Sequence, residues 1–132
     1  MQVKNKVLFD ASALLAMIQE EKGTEVLEEV VSIAVMSSVN LSEVISVLAR
    51  SGMPKDVISK TISSSITEII PFSQAEAELA GHLINDTKKL GLSLGDRACI
   101  ATALLYGLEL YTTDQAWSKL NLQGLKLKLV RK

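Results

Sequence analysis

Residues 7–16 read VLFDASALLA, in which an apolar run stops at one acid, Asp10, and an amphipathic segment begins at once. This pattern predicts a buried strand at 7–9 that leads directly into a helix at 11–18. Ligands of open parallel sheets bind outside the carboxyl ends of the strands, which is where we expect Asp10 to lie. Aspartate is also among the best helix N-caps, so Asp10 taken alone favours a structural role.

The composition indicates a single globular domain over residues 1–132. The chain is 48% hydrophobic, 22% charged and 4% aromatic, which suits an aliphatic core without stabilising disulfides. Its net charge of −1 argues against binding nucleic acid by bulk charge, although a local groove or a bound cation could still do so. The single cysteine, Cys99, excludes an intrachain disulfide and a cysteine-rich zinc site, and it fits a reducing compartment.

The apolar runs are shorter than the ~18 consecutive apolar residues that a membrane span needs. The run that follows Lys4 and Lys6 stops at Asp10, too early for a signal-peptide core. We therefore expect a cytoplasmic protein without a membrane partner.

Strand and helix patterns alternate along the chain, which predicts an α/β fold with a mostly parallel sheet covered on both faces. Strands are predicted at 7–9, 33–36, 69–72, 108–111 and 125–130. Pro71 places the third strand at a sheet edge, and alternating leucine and lysine make the last a half-exposed edge strand. The predicted helices are 11–18, a short one from 24, 40–50, one from 54, 73 to about 90, one from 93, and 115–120. The pattern leaves the strand order open.

Four acids occupy comparable places in this predicted order. Asp10 and Asp114 directly follow strands, and Glu43 follows the second strand by a few residues. Asp96 opens a helix that is apolar on nearly every side. Each acid also has a structural explanation. Asp10 and Asp114 could cap helices, Asn40 and Glu43 have the capping-box spacing, and Asp96 complements a helix dipole.

Taken together, the four acids point to a metal site. The carboxyl ends of parallel strands share one rim of the sheet, and carboxylates gathered there repel until protons or a cation neutralise them. Oxygen ligands without histidine or cysteine suit Mg²⁺ or Mn²⁺ rather than zinc. Such an ion lowers the pKa of a bound water and neutralises charge on a phosphodiester under attack. The spacing therefore suggests metal-dependent phosphodiester hydrolysis.

The four acids lie in four short blocks of sequence: FDASALLA at 9–16, SVNLSEV at 38–44, GLSLGDRAC at 91–99 and TTDQAW at 112–117. These blocks resemble the signature blocks of PIN-domain ribonucleases, and they look most like those of the VapC toxins of bacterial toxin–antitoxin pairs. They occur in the family order, the resemblance covers essentially the whole chain, and the third block is the most specific.

The resemblance implies a three-layer α/β/α PIN fold and an endoribonuclease that needs Mg²⁺ or Mn²⁺ and attacks RNA with a metal-activated water. It places the metal-binding and catalytic acids at Asp10, Glu43, Asp96 and Asp114. Thr112 matches the family's hydroxyl position, and Ser12 joins the site through water. The resemblance further implies a homodimer and a small VapB-like antitoxin that occludes the active site, often with an arginine.

Several alternatives stay open. The chain could be a PIN-fold interaction domain without activity, or a non-toxin PIN nuclease in RNA processing. A phosphoacceptor domain would need paired acids near the first strand, but Asp10 is followed by Ala11 and Ser12, so the pair is missing. An aspartate phosphatase would need a second acid at the position of Ser12.

Other charged residues have simpler interpretations. Arg97 could contact a phosphate or pair with a local carboxylate, and we favour the structural role. Glu76 and Glu78 are expected on a solvated helix face. A basic edge could steer RNA, although such lysines more often discourage aggregation; it comprises Lys126, Lys128, Arg131 and Lys132.

Overall fold

The computed structural model describes residues 3–130. Within them, one sheet has five parallel strands in the order β3-β2-β1-β4-β5, so the first strand lies at its centre. The strands are β1 Val7–Phe9, β2 Ala34–Ser37, β3 Glu68–Ile70, β4 Glu109–Thr112 and β5 Lys126–Leu129. The α/β prediction is confirmed, and both predicted edge strands lie at the edges.

Helices cover both faces of this sheet. They are α1 Ala11–Ile18, α2 Glu25–Val30, α3 Ser38–Arg50, α4 Lys55–Ser63, α5 Gln74–His82, α6 Ile84–Thr87 and α7 Leu94–Tyr106. Short 3₁₀ helices form at Val31–Ile33, Lys88–Leu90 and Gln115–Lys119. In the part of the chain that the structure describes, no helix is long and apolar enough to cross a membrane.

Successive residues of β1 point into different halves of the core, as the two-residue period of a strand requires. Leu8 belongs to a cluster formed with α5 and α7, whereas Phe9 belongs to a cluster formed with α1 to α4. Both side chains are fully buried, and the Phe9 ring packs on Tyr111 of β4 at 5.8 Å between centroids. The two clusters make the fold a three-layer α/β/α arrangement.

The long helix predicted over 73–90 is wrong, because the structure divides this segment into α5, α6 and a 3₁₀ turn. The N–H and the hydroxyl of Thr87 both donate to the carbonyl of Leu83, at 3.1 and 2.8 Å, so the helical bond is kept up to this residue. Thr87 then leaves helical geometry at φ −121°, and Gly91 reverses the chain at φ 64°.

Three further details differ from the sequence prediction. Pro71 lies just after β3 rather than inside it. Helix α3 begins at Ser38 with Ser37 as its N-cap, so the spacing of Asn40 and Glu43 is not a capping box. Glu76 is buried, with 2% of its surface exposed, because its carboxylate folds back onto Ser73 to complete the capping box of α5.

Candidate active site

Asp10 lies between the end of β1 and the start of α1 with only 5% of its surface exposed. Its Oδ1 accepts hydrogen bonds from the Ala13 N–H at 2.8 Å and from the Ser12 hydroxyl at 2.7 Å. Its Oδ2 accepts one from the Thr112 hydroxyl at 2.5 Å. Asp10 therefore caps α1, as the structural interpretation expected. Its carboxylate is also held by Thr112, the last residue of β4.

Burial raises the pKa of Asp10 from 3.8 to about 6. The three hydrogen bonds, from Thr112, Ala13 and Ser12, act against burial because they favour the ionised carboxylate, and the nearby charge of Asp96 adds to the rise. Ionising this buried carboxylate is costly in the protein alone, and a nearby cation would favour the ionised form. Perturbed groups of this kind cluster at functional sites.

The hydroxyl groups of Ser12 and Thr112 form the base of the site. They lie 3.3 Å apart, although 100 residues separate them in the chain. Ser12 also accepts from the N–H of Thr113 at 3.1 Å, and Thr112 accepts from the N–H of Asp114 at 3.1 Å. These bonds tie the loop after β4 to the start of α1 and so place Asp114 beside Asp10.

Asp96 and Asp114 both have helix-capping contacts. Asp96 Oδ2 accepts from the N–H of Ser93, whose hydroxyl accepts from the N–H of Asp96, so the pair forms the capping box of α7. Asp114 Oδ1 accepts from the N–H of Ala116 at 3.0 Å and starts the last 3₁₀ helix. In each carboxylate, the oxygen that does not cap is the one left for another ligand.

Glu43 reaches the site from the first half of α3. Its Oε1 accepts a hydrogen bond of 2.6 Å from Asn40 Nδ2, and the same amide group donates to the carbonyl of Gly95 at 3.2 Å. From its spacing, Asn40 was expected only as part of a capping box. The feature that could have indicated its place in the site is its position as a polar residue on the face of α3 that carries Val44 and Leu48 into the core.

These acids surround one cavity of about 260 Å³ at the carboxyl edge of the sheet. It is lined by Asp10, Ala11, Ser12, Leu15, Asn40, Glu43, Val47, Asp96 and Asp114. Thr112 is fully buried behind Asp10 and reaches the cavity through it. The structure thus brings the four predicted acids together, while their catalytic role stays a prediction.

The donor set suits a hard divalent cation, because the ionisable groups around the cavity are carboxylates. Among residues 3–130, however, no three Asp, Glu, His or Cys side chains are already gathered as a metal cage. Asp96 and Asp114 each turn one oxygen toward the backbone as a helix cap, which leaves the other oxygen for a ligand. The residues that would hold the metal are the carboxylates around the cavity.

The negative field of the acids extends into the core below the cavity. Burial raises the pKa of the Cys99 thiol well above 9, and the charges of Asp10, Asp96 and Glu43 add to that rise. Cys99 is fully buried in α7, so it packs rather than reacts.

Arg97 takes the structural role that we favoured, but not through a carboxylate. Its Nη1 donates to the carbonyl of Ala80 at 2.8 Å, which joins α7 to α5. The basic edge is partly described: Lys126 and Lys128 are exposed on β5, whereas Arg131 and Lys132 lie outside the described residues.

The PIN domain family matches residues 7–122, from β1 to beyond the last 3₁₀ helix. The chain belongs to the PIN-domain family. This membership agrees with the parallel sheet and with the resemblance of the four sequence blocks. A comparison with curated proteins finds no match.

Solved structures share this PIN fold along nearly their whole length. A toxin–antitoxin complex from Klebsiella pneumoniae is 23% identical with a TM-score of 0.70, over 91% of this chain and 95% of that chain. VapBC2 from Rickettsia felis, bound to a promoter DNA fragment, is 19% identical with a TM-score of 0.72, over 94% and 98%. VapBC-5 from Mycobacterium tuberculosis is 18% identical with a TM-score of 0.63, over 96% and 98%. At these identities the similarity is one of fold.

Proposed function

We propose that this PIN domain, taken as residues 1–132, is a metal-dependent endoribonuclease and the toxin of a cytoplasmic toxin–antitoxin pair. The observation that carries the proposal is the cavity at the carboxyl edge of the sheet, where Asp10, Glu43, Asp96 and Asp114 converge. Helix capping explains Asp10, Asp96 and Asp114 one at a time, but it explains neither Glu43 nor the meeting of all four acids in one place. Four carboxylates around one cavity repel one another, and a bound cation would neutralise that repulsion.

Asp10, Glu43, Asp96 and Asp114 are the proposed ligands of Mg²⁺ or Mn²⁺. A bound ion would supply the charge that stabilises a phosphodiester under attack and would lower the pKa of a water molecule. PIN nucleases generally use divalent metals, and the oxygen-only donor set of this chain suits either ion.

The protein's own part is to hold the acids still. Ser12, Ala13 and Thr112 fix both oxygens of Asp10, so its carboxylate cannot rotate away from the cavity. The capping contacts fix Asp96 at the start of α7 and Asp114 at the loop after β4. Preorganised charges of this kind act without rearrangement during the reaction, which is the main source of electrostatic catalysis.

An antitoxin partner and a homodimer belong to the same proposal. The neighbours named above are toxin–antitoxin complexes, which supports a VapB-like antitoxin as the partner. This chain exposes large apolar side chains on neighbouring helices, with Ile45 of α3 39% exposed and Val57 of α4 42% exposed. Exposed apolar side chains are common on surfaces where proteins associate.

RNA cleavage by the purified chain tests the proposal. We expect structured RNAs to be cut with Mn²⁺ or Mg²⁺ and left intact with EDTA, and both Asp10→Asn and Asp96→Asn to abolish cleavage. Glu28→Gln is the matched control, since Glu28 is an exposed acid on α2. Cleavage that survives Asp10→Asn and Asp96→Asn unchanged would refute the site.

An inactive PIN-fold interaction domain is the alternative, and the capping contacts of Asp96 and Asp114 favour it. It predicts no Mn²⁺ binding by calorimetry, either by the parent chain or by Asp10→Asn. A PIN nuclease of RNA processing would also bind Mn²⁺ and cut RNA. It would differ from a toxin because no small DNA-binding protein that blocks the reaction would be encoded next to it.

A further inference from the structure

We infer that Asn40 and Gly95 are positioning residues that together set the Glu43 carboxylate in the cavity, an inference that rests on the proposed function. Neither residue supplies a charge, and neither was a candidate from the sequence as a site residue. They act on Glu43 from two helices. Asn40 donates to it within α3, and Gly95 leaves space for it at the start of α7.

Asn40 is buried, with 2% of its surface exposed, and its amide nitrogen has two acceptors. One is Glu43 Oε1 at 2.6 Å, and the other is the carbonyl of Gly95, which is 55 positions away in the chain, at 3.2 Å. Because both partners are acceptors, the orientation of the amide is determined. Asn40 thus joins α3 to the first turn of α7 and orients the Glu43 carboxylate at that junction.

The other half of the Asn40 amide indicates that this arrangement is not simple packing. Its Oδ1 is buried and has no hydrogen-bond partner among the described residues, which is unfavourable for a polar atom. An apolar side chain at this position would avoid that cost. The two hydrogen bonds that the amide donates therefore explain why position 40 is an asparagine rather than an apolar residue.

Gly95 leaves the space that the Glu43 carboxylate occupies. A Cβ at this position would lie 2.5 Å from Glu43 Oε2, 2.7 Å from Cδ and 2.8 Å from Oε1. Glycine is unfavourable in a helix relative to alanine, and Gly95 lies inside α7. Any larger side chain would have to push the Glu43 carboxylate away, so this glycine keeps the carboxylate next to Asp96.

The two contacts together restrain a side chain that otherwise rotates about three bonds. The amide of Asn40 holds one oxygen, and the close approach to Gly95 sets the depth to which the carboxylate enters the cavity. Residues that orient a metal ligand typically affect metal affinity by ~10- to 100-fold when they are changed. We therefore expect Asn40 and Gly95 to matter for Mn²⁺ binding without touching the ion.

Two variants separate positioning from folding. Asn40→Leu keeps the branching of the side chain but is bulkier and removes the donor, and Gly95→Ala adds one methyl group against the Glu43 carboxylate. We expect each to weaken Mn²⁺ binding, followed by the electron paramagnetic resonance signal of free Mn²⁺, about 10-fold. Thermal unfolding in EDTA checks that each variant is folded at the temperature of the binding measurement. Gly81→Ala is the matched control, because a Cβ there meets nothing within 4 Å.

A Glu43→Ala background tests whether the effect acts through Glu43. There, Asn40→Leu and Gly95→Ala should cause no further loss of Mn²⁺ affinity. The inference is overturned if both variants bind Mn²⁺ within twofold of the parent chain, or if their losses are as large in the Glu43→Ala background. A parent chain that binds no Mn²⁺ at all overturns the proposed function itself, which is a distinguishable result.

Discussion

Thr112 Oγ1 donates a 2.5 Å hydrogen bond to Asp10 Oδ2 across 102 positions of the chain. The parallel register of β1 and β4 produces this contact, because Phe9 pairs with Tyr111 and the two following residues meet at the strand ends. The Asp10 N–H also donates to the carbonyl of Tyr111 at 3.2 Å. The central strand pair therefore determines the environment of the most buried acid in the cavity.

Replacing Thr112 tests this contact. Thr112→Val leaves Asp10 Oδ2 and the Asp114 N–H without their partner, so we expect a loss of about 1–3 kcal/mol in the free energy of unfolding. RNA cleavage should fall at least tenfold, because the Asp10 carboxylate is no longer held. Thr112→Ser keeps the hydroxyl and should retain most of both properties. Equal behaviour of the valine and serine variants in urea unfolding and cleavage assays would contradict this prediction.

The raised pKa of Asp10 predicts a pH dependence of the metal-free protein. Between the ordinary value of 3.8 and about 6, the folded protein keeps a proton that the unfolded chain has lost. The stability that this proton provides is fully present below pH 3.8 and is lost as the pH rises through about 6. The shift corresponds to about 3 kcal/mol.

Urea unfolding in EDTA from pH 4.5 to 7.5 measures this effect against Asp10→Asn, which cannot titrate. We expect the stability of the parent chain relative to the variant to fall over that range. Added Mn²⁺ competes with the proton for Asp10, so it should raise the Tm more at pH 7 than at pH 5. A difference between the two proteins that does not change with pH would show that Asp10 ionises normally.

The capping and metal-binding roles of Asp96 can be separated by paired variants. In Asp96→Asn the side-chain oxygen can still accept from the Ser93 N–H, so the free energy of unfolding should change by about 1 kcal/mol or less. Mn²⁺ affinity should fall strongly. Ser93→Ala should do the reverse, with a loss of about 1 kcal/mol in stability and near-normal Mn²⁺ affinity. If both variants lower affinity equally, capping and metal binding are not separate functions of this turn.

Glu76 provides a prediction outside the site. Its carboxylate is buried and accepts from both the N–H and the hydroxyl of Ser73. Glu76→Ala should therefore cost about 1–3 kcal/mol of stability in urea unfolding. RNA cleavage at a temperature where the variant is folded should equal that of the parent. Glu78→Ala, an exposed acid on the same helix, should change neither quantity by a measurable amount.

Local sequence patterns predicted the elements that begin and end at strong signals. Helix α1 spans Ala11–Ile18 as predicted, because Asp10 caps it and an apolar strand precedes it. Helix α7 begins after Ser93, as its capping box indicates. The short helix predicted from 24 forms as α2, with Leu27 buried and Glu25, Glu28 and Glu29 exposed.

Two predictions from periodicity were wrong, at Glu76 and at Thr87. Glu76 occupies a polar position in a helical pattern, yet it is buried because it accepts from Ser73. Thr87 lies within a continuous helical pattern, yet its backbone leaves helical geometry at φ −121° and the helix ends there. Periodicity records which residues are apolar but not which polar groups find partners nearby.

The α/β class and the presence of four acids at one edge of the sheet followed from the order of residues, because strand ends and helix starts are local signals. Four short blocks carried the resemblance to the family, while the metal-binding and catalytic roles of the acids stay a prediction. Folding decided the strand order, the burial that raises the pKa of Asp10, and the placing of Glu43 between Asn40 and Gly95. These features join residues that are distant in the chain, such as Val7 with Ala34, Asn40 with Gly95, and Asp10 with Thr112. Local periodicity carries no information about such contacts, since they exist only once the strands pair and α3 packs on α7.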